Sequence, residues 1–88
     1  MYYIYMIKNS YNDLYVGVSE NPEQRLQEHN SHRGAQFTES KKSFQIVFIE
    51  SYKTLSEARK REIQIKKWRR DKKEMLVQRF QKNLPTKI

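Results

Sequence analysis

The amino-acid sequence predicts an α+β domain: a three-stranded, largely antiparallel sheet flanked by helices, in the order β-β-α-β-α-α. Short runs rich in aromatic and β-branched residues at Tyr2–Ile7, Leu14–Val18 and Phe44–Tyr52 have the composition of strands. Capping residues at Asn21 and at Thr54 or Ser56 open stretches that read as helices. The chain has 88 residues, 36% of them hydrophobic, with only two Gly and two Pro, enough for one modest core and too little for a second domain. The domain is expected to span residues 1–82, with a frayed tail at 83–88 around Pro85.

The first two runs are joined by the polar stretch Lys8 to Asp13 and form a hairpin. Asn21-Pro22-Glu23-Gln24 then starts a helix: Asn21 caps it, Pro22 suits the first helical position, and Gln24 stands three residues after the cap. This helix is expected to end near His29 or Asn30, with a polar loop from Ser31 to Ser43. The third strand has a nearly continuous apolar centre at Ile46, Val47, Phe48 and Ile49. A second helix runs to about Lys67, and after a break near Arg69 to Asp71 a last helix covers Lys72 to Phe80, carrying Met75, Leu76 and Phe80.

Charge is distributed unevenly. Residues 1–50 carry five Lys/Arg against six Asp/Glu, and residues 51–88 carry thirteen against four, so a net −1 half precedes a net +9 half. A concentrated positive field of this kind favours a polyanion such as a nucleic-acid backbone; a solvated helix surface is the plainer alternative. With no cysteine, thiol catalysis and thiolate zinc sites are excluded. No segment reads as a signal peptide or a membrane span, so a cytoplasmic protein without membrane contact is expected.

Side chains alternate across a strand, which places Ile4, Met6, Leu14, Val16 and Val18 in the core and leaves Tyr3, Tyr5, Tyr15 and Gly17 on the other face. A glycine inside a strand marks close approach of a ligand or another backbone, while paired strand tyrosines are commonly packing. Arg25 and His29 are four residues apart on one helical face. They combine a fork suited to phosphate oxygens with a group that exchanges protons near neutrality; a surface pair flanking Leu26 is the bland reading. His32 reads as a solvated loop residue. On the second helix Leu55, Ala58, Ile65 and Trp68 share one arc, and Glu62 falls inside it. A carboxylate there must be paired, hydrated or bound to a metal. An internal salt bridge and a Mg²⁺ site completed by waters are both open.

These residues together resemble the GIY-YIG nuclease superfamily, and most of all the small stand-alone bacterial proteins similar to the excinuclease nuclease domain. The resemblance runs from Tyr3 to about Leu76. Tyr3-Ile4-Tyr5 stands where the family has Gly-Ile-Tyr, and Tyr15-Val16-Gly17 where it has Tyr-Ile-Gly. Arg25 matches the helix arginine, His29 the position one turn later, and Glu62 the metal-binding glutamate. The segments around His29-Asn30-Ser31, Gly34 to Thr38 and Ile65 to Arg70 also resemble the stand-alone subgroup. Tyr3 departs from the family glycine, and the asparagine near the end of the catalytic region in some members has no clear counterpart, Asn83 being a poor match.

The resemblance implies a metal-dependent endonuclease that hydrolyses DNA phosphodiesters, structure-directed or weakly sequence-specific, in repair or recombination. DNA is a better expected partner than RNA. Tyr5 would act as general base or water-positioning phenol, Tyr15 as a second phenol on phosphate or water, Arg25 as stabiliser of developing charge, His29 as the group orienting water or relaying the proton, and Glu62 as ligand of one Mg²⁺ or Mn²⁺ ion. A free phenol, with its pKa near 10, is a weak base at neutral pH, and Lys8 is a candidate to help it. Lys8, Arg61, Lys66, Lys67, Arg69, Arg70 and Lys73 would give a track for the backbone with no evident reader of bases. The alternative is a nucleic-acid-binding module of the same fold that cleaves weakly or not at all.

Overall fold

The computed structural model describes residues 1–34 and 43–87, with the side chains of residues 32–34 outside the description. The elements follow the predicted order: β1 (Tyr2–Lys8), β2 (Leu14–Ser19), α1 (Pro22–Gly34), β3 (Gln45–Tyr52), α2 (Leu55–Lys66) and α3 (Arg70–Gln81). The strands form one antiparallel sheet in the order β2-β1-β3, so β1 is central. The expected side-chain state of His32, and most of the expected loop from Ser31 to Ser43, lie outside the described residues.

Local chemistry explains each boundary. At the hairpin end, the Asn9 side-chain oxygen accepts from the backbone N–H groups of Tyr11 and Asp13, each at 3.0 Å. Asn12 takes a positive φ of 66°, a conformation its short polar side chain tolerates. Helix α1 starts as expected, with the Asn21 side chain accepting from the Gln24 N–H. It runs to Gly34 rather than ending near His29 or Asn30, and the Asn30 side-chain amide ties it to the third strand's approach: it donates to the Phe44 carbonyl at 3.1 Å and accepts from the Phe44 N–H at 2.8 Å. Thr54, and not Ser56, caps α2 by accepting from the Glu57 N–H.

Both faces of the sheet are covered, which explains the unbroken apolar run in β3. One face carries Ile4, Met6 and Phe48 against Ala58 and Ile65 of α2 and Leu76 and Val77 of α3. The other gathers Tyr5, Ile7 and Phe44 with Leu26 of α1, Ile46 and Ile49. A register shift between Met6 and Ile7, paired with Phe48 and Ile46, inserts Val47 as a bulge, so Val47 and Phe48 both serve the first face.

Two expectations about the second half are corrected. Within α2, Leu55 is exposed and Arg61 takes the buried place instead. The Arg61 Nε donates to Glu50 at 2.9 Å, its Nη1 to Gln64 and its Nη2 to the Thr86 carbonyl. The tail from 83 to 87 is docked rather than frayed. Asn83 at φ 59° closes α3 in a left-handed cap, with the Leu84 N–H on the Arg79 carbonyl and the Asn83 N–H on the Phe80 carbonyl. The Thr86 hydroxyl donates to Glu50 at 2.9 Å, and Lys87 lies over the Tyr52 ring. Tyr52 also donates to Glu50, and its burial, reinforced by that carboxylate, holds the phenol protonated well above its ordinary range.

Candidate functional site

The site forms along β2, an edge strand, where α1 and α2 reach it. Tyr5 projects from β1 opposite Gly17 of β2. Its ring lies so close that a Cβ on Gly17 would stand 2.6 Å from the phenol Cζ and hydroxyl. The close approach expected at Gly17 is therefore made by the chain's own phenol, and the glycine is needed for space rather than for a backbone angle.

Tyr15 is 46% exposed and stands in a three-ring group. Its ring is 5.7 Å from His29 and 5.4 Å from Phe44, and His29 and Phe44 meet edge to face at 4.6 Å. Such edge-to-face contacts fix ring orientation as well as adding apolar contact. Phe44 is buried and is itself held by the two Asn30 hydrogen bonds, so the segment leading into β3 supports the side chains that α1 and β2 present. Arg25, one turn before His29, keeps an exposed guanidinium with a loose 3.5 Å ion pair to Glu28. From the other face of the sheet, α2 contributes Glu62, a buried carboxylate paired with Lys66 at 3.1 Å and Arg59 at 3.6 Å.

Tyr5, Tyr15, Gly17, Arg25, His29 and Glu62 line one cleft of about 390 Å³, together with Arg59, Ile7, Val16 and Val18. A smaller recess shares Tyr5, Arg25 and His29 and adds Glu28. The arrangement sets phenols, a guanidinium, an imidazole and a carboxylate around a space open to an extended anion. As a metal site it offers one hard oxygen ligand: no group of three His, Cys, Asp or Glu is found among the described residues. A lone carboxylate whose remaining positions are filled by water fits Mg²⁺ or Mn²⁺, which retain several waters, and does not fit zinc.

Several predicted nucleic-acid contacts separate on the structure. Arg61 is internal, bonded to Glu50, Gln64 and Thr86, and Lys8 donates to both Glu74 carboxylate oxygens at 2.9 Å. Neither is set as expected: Lys8 is engaged with α3 and lies outside the cleft. That same ammonium, followed by Arg70, holds the Glu74 carboxyl below its ordinary range. Arg70 bonds Glu74 and the Asn12 carbonyl, tying α3 to the hairpin turn. Lys66, Lys67 and Arg69 stay exposed, while Lys73 is half-buried. Sequence reasoning missed Arg59, whose signal was its place three residues before Glu62, and Phe44 and Asn30, which left no local signal because their contact spans 14 positions.

Comparison with known proteins gives a consistent picture. The family model of the GIY-YIG catalytic domain matches residues 1–75. The UPF0213 protein SSP2268 of Staphylococcus saprophyticus is 40% identical over 76 residues, covering 86% of this chain and 93% of its own. A UPF0213 protein of Staphylococcus aureus is 37% identical over the same extents. The solution NMR structure of the UPF0213 protein BH0048 from Bacillus halodurans superposes with a TM-score of 0.57 at 29% identity, covering 89% of this chain and 84% of that one.

Proposed function

The chain belongs to the GIY-YIG catalytic-domain family, and from that premise we propose that it is a metal-dependent endonuclease cutting branched, damaged or flexible DNA in repair or recombination in the cytoplasm. One observation carries this reading: Tyr5, Tyr15, Arg25, His29 and Glu62, from β1, β2, α1 and α2, line a single cleft. Hydrolysis of a phosphodiester needs a placed water, neutralised phosphate charge and help for the leaving oxygen. When bound at Glu62, Mg²⁺ or Mn²⁺ supplies Lewis-acid polarisation of the phosphate and the leaving oxygen.

The chain's own residues do the rest. Tyr5, seated over Gly17, accepts a hydrogen bond from the attacking water and sets its line of approach. His29, oriented by Phe44 and Tyr15, orients that water and relays the proton to solvent. Tyr15 donates its phenolic hydrogen to a phosphate oxygen, and the Arg25 guanidinium, with only a loose partner at 3.5 Å, stabilises the charge that develops there. Lys66, Lys67 and Arg69, which stay exposed, hold the adjoining backbone without reading bases.

Incubation of the purified protein with plasmid and with flap and fork oligonucleotides, in Mg²⁺, Mn²⁺ or EDTA, tests this. Metal-dependent nicking is expected, with Glu62→Ala and Tyr5→Phe each lowering the rate by about 100-fold or more while DNA binding in EDTA is retained. Binding without nicking in either metal would instead identify a nucleic-acid-binding module of the same fold.

A further inference from the structure

We propose that Arg59 and Lys66 are exchangeable counter-ions of Glu62: a divalent cation displaces them from the carboxylate, and they turn to a backbone phosphate of the nucleic acid. The proposal rests on the reading of Glu62 as the metal ligand and adds a residue, Arg59, and a coupling to it.

The two sides of this ion cluster differ in freedom. The Glu62 side chain is 11% exposed, whereas Arg59 and Lys66 are 60% and 54% exposed. The carboxylate is thus held in place, and its charge must be compensated where it stands. Its partners are long chains in solvent, at 3.6 and 3.1 Å, and such half-exposed pairs are weak. The Arg61–Glu50 pair shows the contrasting case, with side chains 8% and 5% exposed at 2.9 Å, a contact that cannot open without uncovering the core. Arg59 and Lys66 flank Glu62 at i−3 and i+4 on α2, so they release it by rotation of side chains alone, with no shift of the helix.

Charge decides the direction of the exchange. Two cations already surround one carboxylate, and a divalent ion there would be repelled by both. Once it binds, the local excess of positive charge is relieved by an incoming phosphate. Arg59 lines the cleft that also holds Arg25, so its release gives the phosphate a second guanidinium. Metal and nucleic acid then strengthen each other's binding, and by linkage the effect is reciprocal.

Calorimetric titration of the full chain with Mn²⁺ alone tests the exchange. Gln replaces Arg or Lys on an exposed helix surface with little change in helix propensity, so the Arg59→Gln/Lys66→Gln double variant is expected to fold, as checked by circular dichroism. It should bind Mn²⁺ about fivefold more tightly than the wild type, the loss of two half-exposed ion pairs. The charge-matched control Lys53→Gln/Lys60→Gln should bind Mn²⁺ like the wild type. Mn²⁺ should also steepen the salt dependence of DNA binding by about two phosphate contacts in the wild type and not in the double variant, measured in a Tyr5→Phe background so that strands stay intact. Equal Mn²⁺ affinity in wild type and double variant, or an equal gain in the control, overturns the exchange while leaving the endonuclease reading standing. No Mn²⁺ binding to either protein, or binding unchanged by Glu62→Ala, overturns both.

Discussion

At Gly17 the absent side chain is the space that the Tyr5 ring occupies, with a Cβ there only 2.6 Å from the phenol. Tyr5 is buried, so its ring cannot swing clear without disturbing Ile7 and Phe44, its neighbours in the second core cluster. Gly17→Ala is therefore expected to destabilise the domain by about 1–3 kcal/mol, as overpacking does, and to lower nicking through the displaced phenol. Urea unfolding measures the first effect. In a Tyr5→Leu background most of the stability loss should vanish, because the two positions share one volume. The contact was half legible beforehand: alternation put Tyr5 and Gly17 on one face, but no sequence rule says that the occupant of a glycine gap is the chain itself.

Elements are tied to one another by charge as well as by apolar contact. Lys8 at the end of β1 and Arg70 at the start of α3 converge on Glu74, and Arg70 also reaches the turn at Asn12. These bonds hold the Glu74 carboxyl below its ordinary value of 4.5, the Lys8 bond being the largest cause. A carboxyl so depressed stabilises the fold once pH is above its unfolded value, and the contribution disappears as pH falls through the lower, folded one. Glu74→Gln should accordingly lower the Tm at neutral pH, with wild type and variant converging in acid. Thermal melts across that range check this; a constant difference in Tm would place the effect in packing. Helix order and caps could be read locally, since Asn21 and Thr54 act on backbone groups three residues away. The docked tail could not, because Thr86 meets Glu50 across 36 positions.

Across the whole molecule, the basic half divides into charges that build the fold and charges that face solvent. Arg61 serves Glu50 inside the domain, while Arg69 is exposed at the start of α3. Arg69→Gln should leave the Tm unchanged and reduce the salt slope of DNA binding by about one phosphate contact. Arg61→Gln should cost about 3–5 kcal/mol of stability, since it leaves the Glu50 carboxylate buried without its charge partner. Denaturant unfolding and binding at several salt concentrations separate the two, and the reverse pattern would mean that the surface assignment is wrong.

The strand and helix order, the antiparallel hairpin, the starts of α1 and α2 and the inward placement of Glu62 were written in local patterns: alternation, capping and helical spacing act within a few residues and are visible in one dimension, whereas α3 starts at Arg70, inside the break expected there, with no side-chain cap to mark it. The tertiary structure decided which charges are internal, that Lys8 belongs to Glu74, that Arg59 borders the cleft, and that Asn30 and Phe44 steady His29 and Tyr15. Those outcomes depend on where distant segments meet once both faces of the sheet are covered, and a list of residues carries no such distances. Tyr5 and Gly17 lie on both sides of that division, since alternation put them on a common face and only the folded register set the phenol over the glycine.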